Sequence, residues 1–122
     1  MGHYPGGKNA AAGSSGDVAA ATAAASLPAT PGVTNYIAGF SVHGSGATAA
    51  AVVQVTVSGI VGGTHTYSYA AVAGAALINQ PLDIIFEPPI PATGQNTAIT
   101  VSCPSLGTGN LHNAVNVWGY QQ

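Results

Sequence analysis

Residues 51–73 read AVVQVTVSGIVGGTHTYSYAAVA. Val53, Val55 and Val57 occupy alternate positions. Beyond two glycines the alternation resumes, with His65, Tyr67 and Tyr69 set against Thr66, Ser68, Ala70 and Val72. A period of two marks strands whose two faces differ. Gly62-Gly63 is a two-residue hairpin turn of the kind that needs positive φ. With Val61 opposite Thr64, Val57 faces Ser68, Val55 faces Ala70 and Val53 faces Val72, and this is the expected core face. The opposite face pairs Ser58 with Tyr67, Thr56 with Tyr69 and Ile60 with His65. Tyr and His combine an apolar body with a polar tip. Thr56, Ser58, Ile60, His65, Tyr67 and Tyr69 are therefore a candidate subunit interface. The alternatives are a half-covered outer face, or an inverted register with the tyrosines inside.

The same period runs through the rest of the chain from Pro31. Strands are expected over Thr34–His43, with Tyr36, Ala38, Phe40 and Val42 on one face, and over Ala51–Val61 and Thr64–Ala73. Pro81–Glu87 follows with Leu82, Ile84 and Phe86 together, then Asn96–Cys103 with Ile99, Val101 and Cys103. Leu111–Tyr120 sets Val115 and Val117 against Asn116, Trp118 and Tyr120. Gly44-Ser45-Gly46, Pro88-Pro89, Pro91 and Gly107–Gly109 punctuate them. This spacing predicts an all-β fold, an antiparallel β-sandwich (jelly-roll-like), over residues 31–122.

Residues 1–30 are different. Apart from Met1, Tyr4, Val18 and Leu27 they offer almost nothing large to bury, so they build no core of their own. Asp17 followed by VAAATAAA allows about two helical turns with Asp17 or Ser15 as N-cap. The expectation is an irregular, extended Gly/Ala-rich N-terminal arm, either a flexible tail or a segment that orders on a neighbouring subunit.

Composition excludes several roles. Of 122 residues only 3% are charged, against about 25% in an ordinary domain. The charges are Lys8, Asp17, Asp83 and Glu87. One lysine and no arginine do not neutralise phosphates, so no nucleic-acid partner is expected. No run of residues reaches the roughly 18 apolar positions needed to span a membrane. MGHYPGGKN lacks the apolar core of a secretory signal, Gly6 stands where a myristoylation start wants Ser or Thr, and no Asn-x-Ser/Thr acceptor occurs. The lone Cys103 forms no intrachain disulfide and reads as a small buried hydrophobe, consistent with synthesis in a cytoplasm. So little charge defends poorly against self-association, which points to an assembly as the working state.

Chemistry-bearing patterns are sparse, and no catalytic, cofactor or metal residues are expected. Asp83 and Glu87 share a strand face about 13 Å apart at roughly 3.3 Å per residue, beyond the roughly 5–9.5 Å of a glycosidase pair. They read as solvated edge charges. His3, His43, His65 and His112 have no ligand spacing, although strand pairing brings His43, His65 and His112 into consideration at one end. Gly39-Phe40-Ser41-Val42-His43 begins like a nucleophile elbow but lies within a strand and ends in His. Lys8 follows Gly6-Gly7 without a phosphate-loop frame.

The segments LPATPGVTNYIAGFSVHGSGATAAAVVQVTVSGIVGG (27–63) and QPLDIIFEPPIPATGQNTAITVSCPSLGTGNLHNAVNVWGYQQ (80–122) resemble a family of small β-rich virion structural proteins of tailed bacteriophages. The NYIAGF strand, the Gly-Ala-Thr-Ala-Ala run, the Pro-x-Ala…Asn-Thr-Ala-Ile turn and the closing Ala-Val-x-x-x-Gly-Tyr carry the likeness, which spans about residues 27–122. The resemblance implies a capsid decoration or cement protein on the virion surface, bound to the major capsid protein as a homo-oligomer, with a trimer the expected order. It supplies no catalytic residues. Two other functions suit the same residues. One is a tail or surface adhesin that stacks host glycans on Trp118, Tyr120, Tyr67 and Tyr69. The other is a self-polymerising filament subunit.

Overall fold

The computed structural model describes residues 3–4 and 8–122. The described chain is all strand and loop: β1 His3–Tyr4, β2 Lys8–Ser14, β3 Ala23–Leu27, β4 Asn35–Ser45, β5 Ala51–Ser58, β6 His65–Ala71, β7 Leu82–Pro91, β8 Ile99–Cys103 and β9 His112–Gln121. They form two antiparallel sheets, β1-β2-β9-β4-β7 and β3-β8-β5-β6. Apart from the β1–β2 and β5–β6 hairpins, each connection crosses from one sheet to the other. The six strands expected from the sequence are all present, and no helix forms at Asp17–Ala25.

Both sheets bury their facing sides in one core. Ile37, Phe40, Val42, Val115 and Val117 come from the first sheet, and Leu27, Val55, Val57, Ile99, Val101 and Cys103 from the second. The Phe40 ring meets Tyr67 edge-on across the core, centroids 5.4 Å apart. Alternation selects these residues on most strands, as on β8, where Ile99, Val101 and Cys103 are buried and Thr100 and Ser102 are not.

Three departures from the sequence expectation have local causes. First, β4 carries a bulge between Ile37 and Gly39. It resets the alternation, so Ile37 joins Phe40 and Val42 inside while Tyr36 turns outward. The bulge packs on Gly119, where a Cβ would lie 1.9 Å from the Tyr36 carbonyl oxygen and 3.1 Å from the Ala38 nitrogen. Second, the β5–β6 ladder pairs Val57 with His65, Val55 with Tyr67 and Val53 with Tyr69. The expected register is wrong by three residues, an odd slip that exchanges the faces. Strand β5 ends early because Gly59 turns to φ 85° and its backbone packs against Ala98, whose carbonyl oxygen would lie 2.2 Å from a Cβ there. Ile60 then dives into the core and bridges to Ala92. The connection therefore spans residues 59–64 rather than two glycines.

Third, residue 30 is not a boundary. Strand β2 pairs along β9 from Asn9↔Gln121 to Ser14↔Asn116, and β3 pairs along β8 from Ala23↔Cys103 to Leu27↔Ile99. Ala23, Ala25 and Leu27 are core residues. Gly13 closes this side of the domain: a Cβ there would sit 2.2 Å from the Ser26 carbonyl oxygen, so only glycine lets β2 pass so close to β3. Residues 8–27 are thus part of the domain and not an arm. The first residues of the proposed arm, 1–2 and 5–7, lie outside the described residues.

Candidate functional site

Two outward faces and one sheet edge are the surfaces to weigh. The outer face of β3-β8-β5-β6 is a field of small uncharged groups. Ladder partners place Ser26, Thr100 and Ser58 in one row, and Ala24, Ser102, Thr56 and Thr66 in the next. Gln54 faces Ser68, and Val52 faces Ala70. Side-chain hydrogen bonds cross this face: Ser26 Oγ and Thr100 Oγ1 are 2.9 Å apart, and Gln54 Nε2 donates to Ser68 Oγ at 3.1 Å. None of the four strands carries Lys, Arg, Asp or Glu.

The outer face of the other sheet is aromatic at its centre. Tyr36 and Tyr120 stack, with centroids 4.7 Å apart and planes 9° from parallel. Trp118 lies over Gly39, where a Cβ would meet the indole Cζ2 at 2.6 Å. The missing side chain lets the indole lie down on the sheet. Ile85, in the same ladder row, is 71% exposed. Ser14, Asn116, Ser41 and Asp83 form the next row.

The six residues read as one interface do not share a face. Tyr69 and Ile60 are buried in the core. Tyr67 and His65 lie on the core side, half-buried, with His65 against Phe86 at 6.3 Å between centroids. Only Thr56 and Ser58 face outward, in the hydroxyl field. The inverted register, with the tyrosines inside, is the one the protein adopts, and Gly59 was the sequence signal for it.

Burial raises the Tyr67 and Tyr69 phenols above their ordinary value. At Tyr69 this is offset in part by Asn79 and the Gly44 backbone. The Tyr69 Oη nonetheless makes no well-formed hydrogen bond. Above pH of about 10 the unfolded chain loses tyrosyl protons that the folded chain keeps, so stability falls as pH rises. The melting temperature should stay level near neutrality and drop above pH of about 10. Tyr69→Phe should shrink that drop while changing neutral stability by no more than about 1 kcal/mol. Melting curves from pH 7 to 11 check both; an unchanged alkaline drop in the variant would contradict it.

The polar residues separate into small pairs. His112 Nδ1 and Asp17 Oδ2 are 2.8 Å apart, joining the β2–β3 loop to the start of β9, and His43 Nε2 lies 3.8 Å from Asp83 Oδ1. His43 and His112 flank an open hollow of about 320 Å³ with Ile78 and Ala114, whereas His65 stands elsewhere against Phe86. Among the described residues no group of three or more His, Cys, Asp or Glu is placed to hold a metal ion. Asp83 and Glu87 are exposed on the edge strand β7. Cys103 is fully buried, and Asn113 Nδ2 donates to its sulfur at 3.5 Å. Burial pushes its thiol up, with Asn113 pulling the other way, so it is a poor nucleophile. No helix among the described residues is long and apolar enough to cross a membrane. No protein-family model, curated protein or solved structure matches the chain.

Proposed function

We propose that this chain is a virion structural protein of a tailed bacteriophage, a capsid decoration or cement protein that binds the assembled shell from outside. The observation that carries the reading is the hydroxyl face of β3-β8-β5-β6, a whole sheet surface without a formal charge. Such a face is covered by another protein with no charge left desolvated and unpaired. The strand order supports it: β2-β9-β4-β7 facing β3-β8-β5-β6 is the order of an eight-stranded jelly-roll sandwich, a fold used by capsid proteins and lectins. The resemblance of residues 27–122 to phage virion proteins points the same way. In this reading the protein is not an enzyme and takes no cofactor. Its copies bridge neighbouring major capsid subunits, and many weak contacts made together raise the cost of separating them under internal DNA pressure.

Co-sedimentation with shells of the parent phage tests this. The protein should pellet with expanded shells and stay in solution with unassembled capsid subunits. Equal binding to both would remove the lattice-specific reading.

A second reading, glycan recognition, is favoured by the aromatic face: Trp118 lying over Gly39 beside the Tyr36–Tyr120 stack offers ring faces for sugars. Its tyrosines are Tyr36 and Tyr120, since Tyr67 and Tyr69 lie on the core side. A glycan array hit abolished by Trp118→Ala would move the assignment to an adhesin.

A further inference from the structure

The four sheet edges are treated very differently. Strand β7 carries Asp83, Glu87, Pro88, Pro89 and Pro91, the charges and prolines that discourage strand addition. The β3 edge is covered by β2, through the close approach of Gly13 to Ser26. Strand β1 is only two residues long. Strand β6 is an edge of seven residues with no proline and no Lys, Arg, Asp or Glu. No such charge occurs anywhere from residue 51 to residue 82.

The β6 sequence is also self-complementary. Thr66-Tyr67-Ser68-Tyr69-Ala70 reads small, aromatic, small, aromatic, small in both directions about Ser68. In an antiparallel pair centred there, Ser68 faces Ser68 of the second copy, and Tyr67 faces Tyr69 of the second copy twice over. Facing residues in an antiparallel pair lie on one side of the sheet, so both copies keep their tyrosines on the core side and Ser68 outside. The exposed apolar residues agree: Val61 (53% exposed) precedes β6, and Val72 (41%) and Leu77 (51%) follow it. A two-fold axis at Ser68 brings the Val61 end of each copy to the Val72 end of the other.

We propose that two copies of this chain pair edge to edge through β6, about a two-fold axis at Ser68, joining their four-stranded sheets into one of eight strands. The contact is isologous, so it closes at two copies, and the assembly unit is then a dimer in place of the expected trimer. The proposal is independent of shell binding and is tested without shells.

The test is disulfide capture in the full chain. Ser68 is exposed, and the buried Cys103 does not compete. Ser68→Cys should form a covalent dimer under mild oxidation at micromolar concentration, whereas Thr66→Cys, offset from its own copy by four residues, should remain uncrosslinked. The wild-type chain should sediment as a dimer. Ser68→Lys, which sets two ammonium groups face to face, should sediment as a folded monomer with its melting curve still cooperative. Crosslinking of Thr66→Cys as readily as Ser68→Cys, a wild-type monomer at tens of micromolar, or a Ser68→Lys dimer would each overturn the pairing.

Discussion

A chain beginning at Pro31 is expected to show no cooperative unfolding transition. The deletion removes β2 and β3 and with them Ala23, Ala25 and Leu27 from the core. Truncating a buried Leu to Ala alone costs about 2–5 kcal/mol, a large part of the roughly 5–15 kcal/mol that holds a domain together. The deletion also exposes the backbone groups of β8 and β9 that β2 and β3 now satisfy, and breaks the bonds of the β2–β3 loop to β9 from Ser15 N to Val115 O at 2.9 Å and Val18 N to Asn113 O at 2.8 Å. Near-ultraviolet circular dichroism and thermal melts of the truncated chain measure this. A sharp transition close to that of the full chain would show that the domain starts near residue 31 after all.

The second large effect is expected at Asn35, a polar residue only 1% exposed. Its Nδ2 donates to the Pro28 and Thr97 carbonyls at 2.8 and 2.9 Å, with the Leu27 carbonyl at 3.3 Å, and its Oδ1 accepts from Gln121 Nε2 at 3.0 Å. One amide thus fastens the end of β3, the start of β4, the segment before β8 and the end of β9. An unsatisfied buried group costs about 1–3 kcal/mol, and Asn35→Ala strips at least two carbonyls. The loss should be about 2–5 kcal/mol, read as a lower denaturant midpoint with little change in slope. Asn35→Asp should not rescue it, because a carboxylate presents only acceptors to carbonyl oxygens. A loss below about 1 kcal/mol would mean that water or chain relaxation replaces the side chain.

What was legible in the sequence was legible for a physical reason. Strands β4, β5, β7, β8 and β9 announce themselves because Val, Ile, Leu and Phe alternate with polar or small residues, and β6 because Tyr67 and Tyr69 do. Burial follows that alternation at Val53, Val55, Val57, Ile99, Val101, Val115 and Val117. Strands β2 and β3 did not, because Ala, Gly and Ser carry too little hydrophobic contrast to show a period. Their placement comes from the close approach that small residues permit, as at Gly13. The hairpin register was missed because Gly62-Gly63 looks like a turn by itself, while Gly59, three residues earlier, decides where β5 ends. The bulge at Ala38 depends on Gly119, more than eighty positions away, and no local pattern reports it. The candidate interface failed with the register on which it rested, whereas Trp118 and Tyr120 were correctly set against Val115 and Val117. That β6 is a sheet edge without charge or proline follows only from the strand order.

The proposed shell binding rests on an uncharged sheet surface that capsid protein covers. Its most direct measurement is the affinity for assembled shells between about 0.1 M and 1 M salt, where the screening length falls from about 10 Å to about 3 Å. Contacts made by hydroxyls, backbone and apolar groups predict an affinity that changes by less than about twofold. A tenfold or greater weakening, or no binding at any salt concentration, would contradict the account.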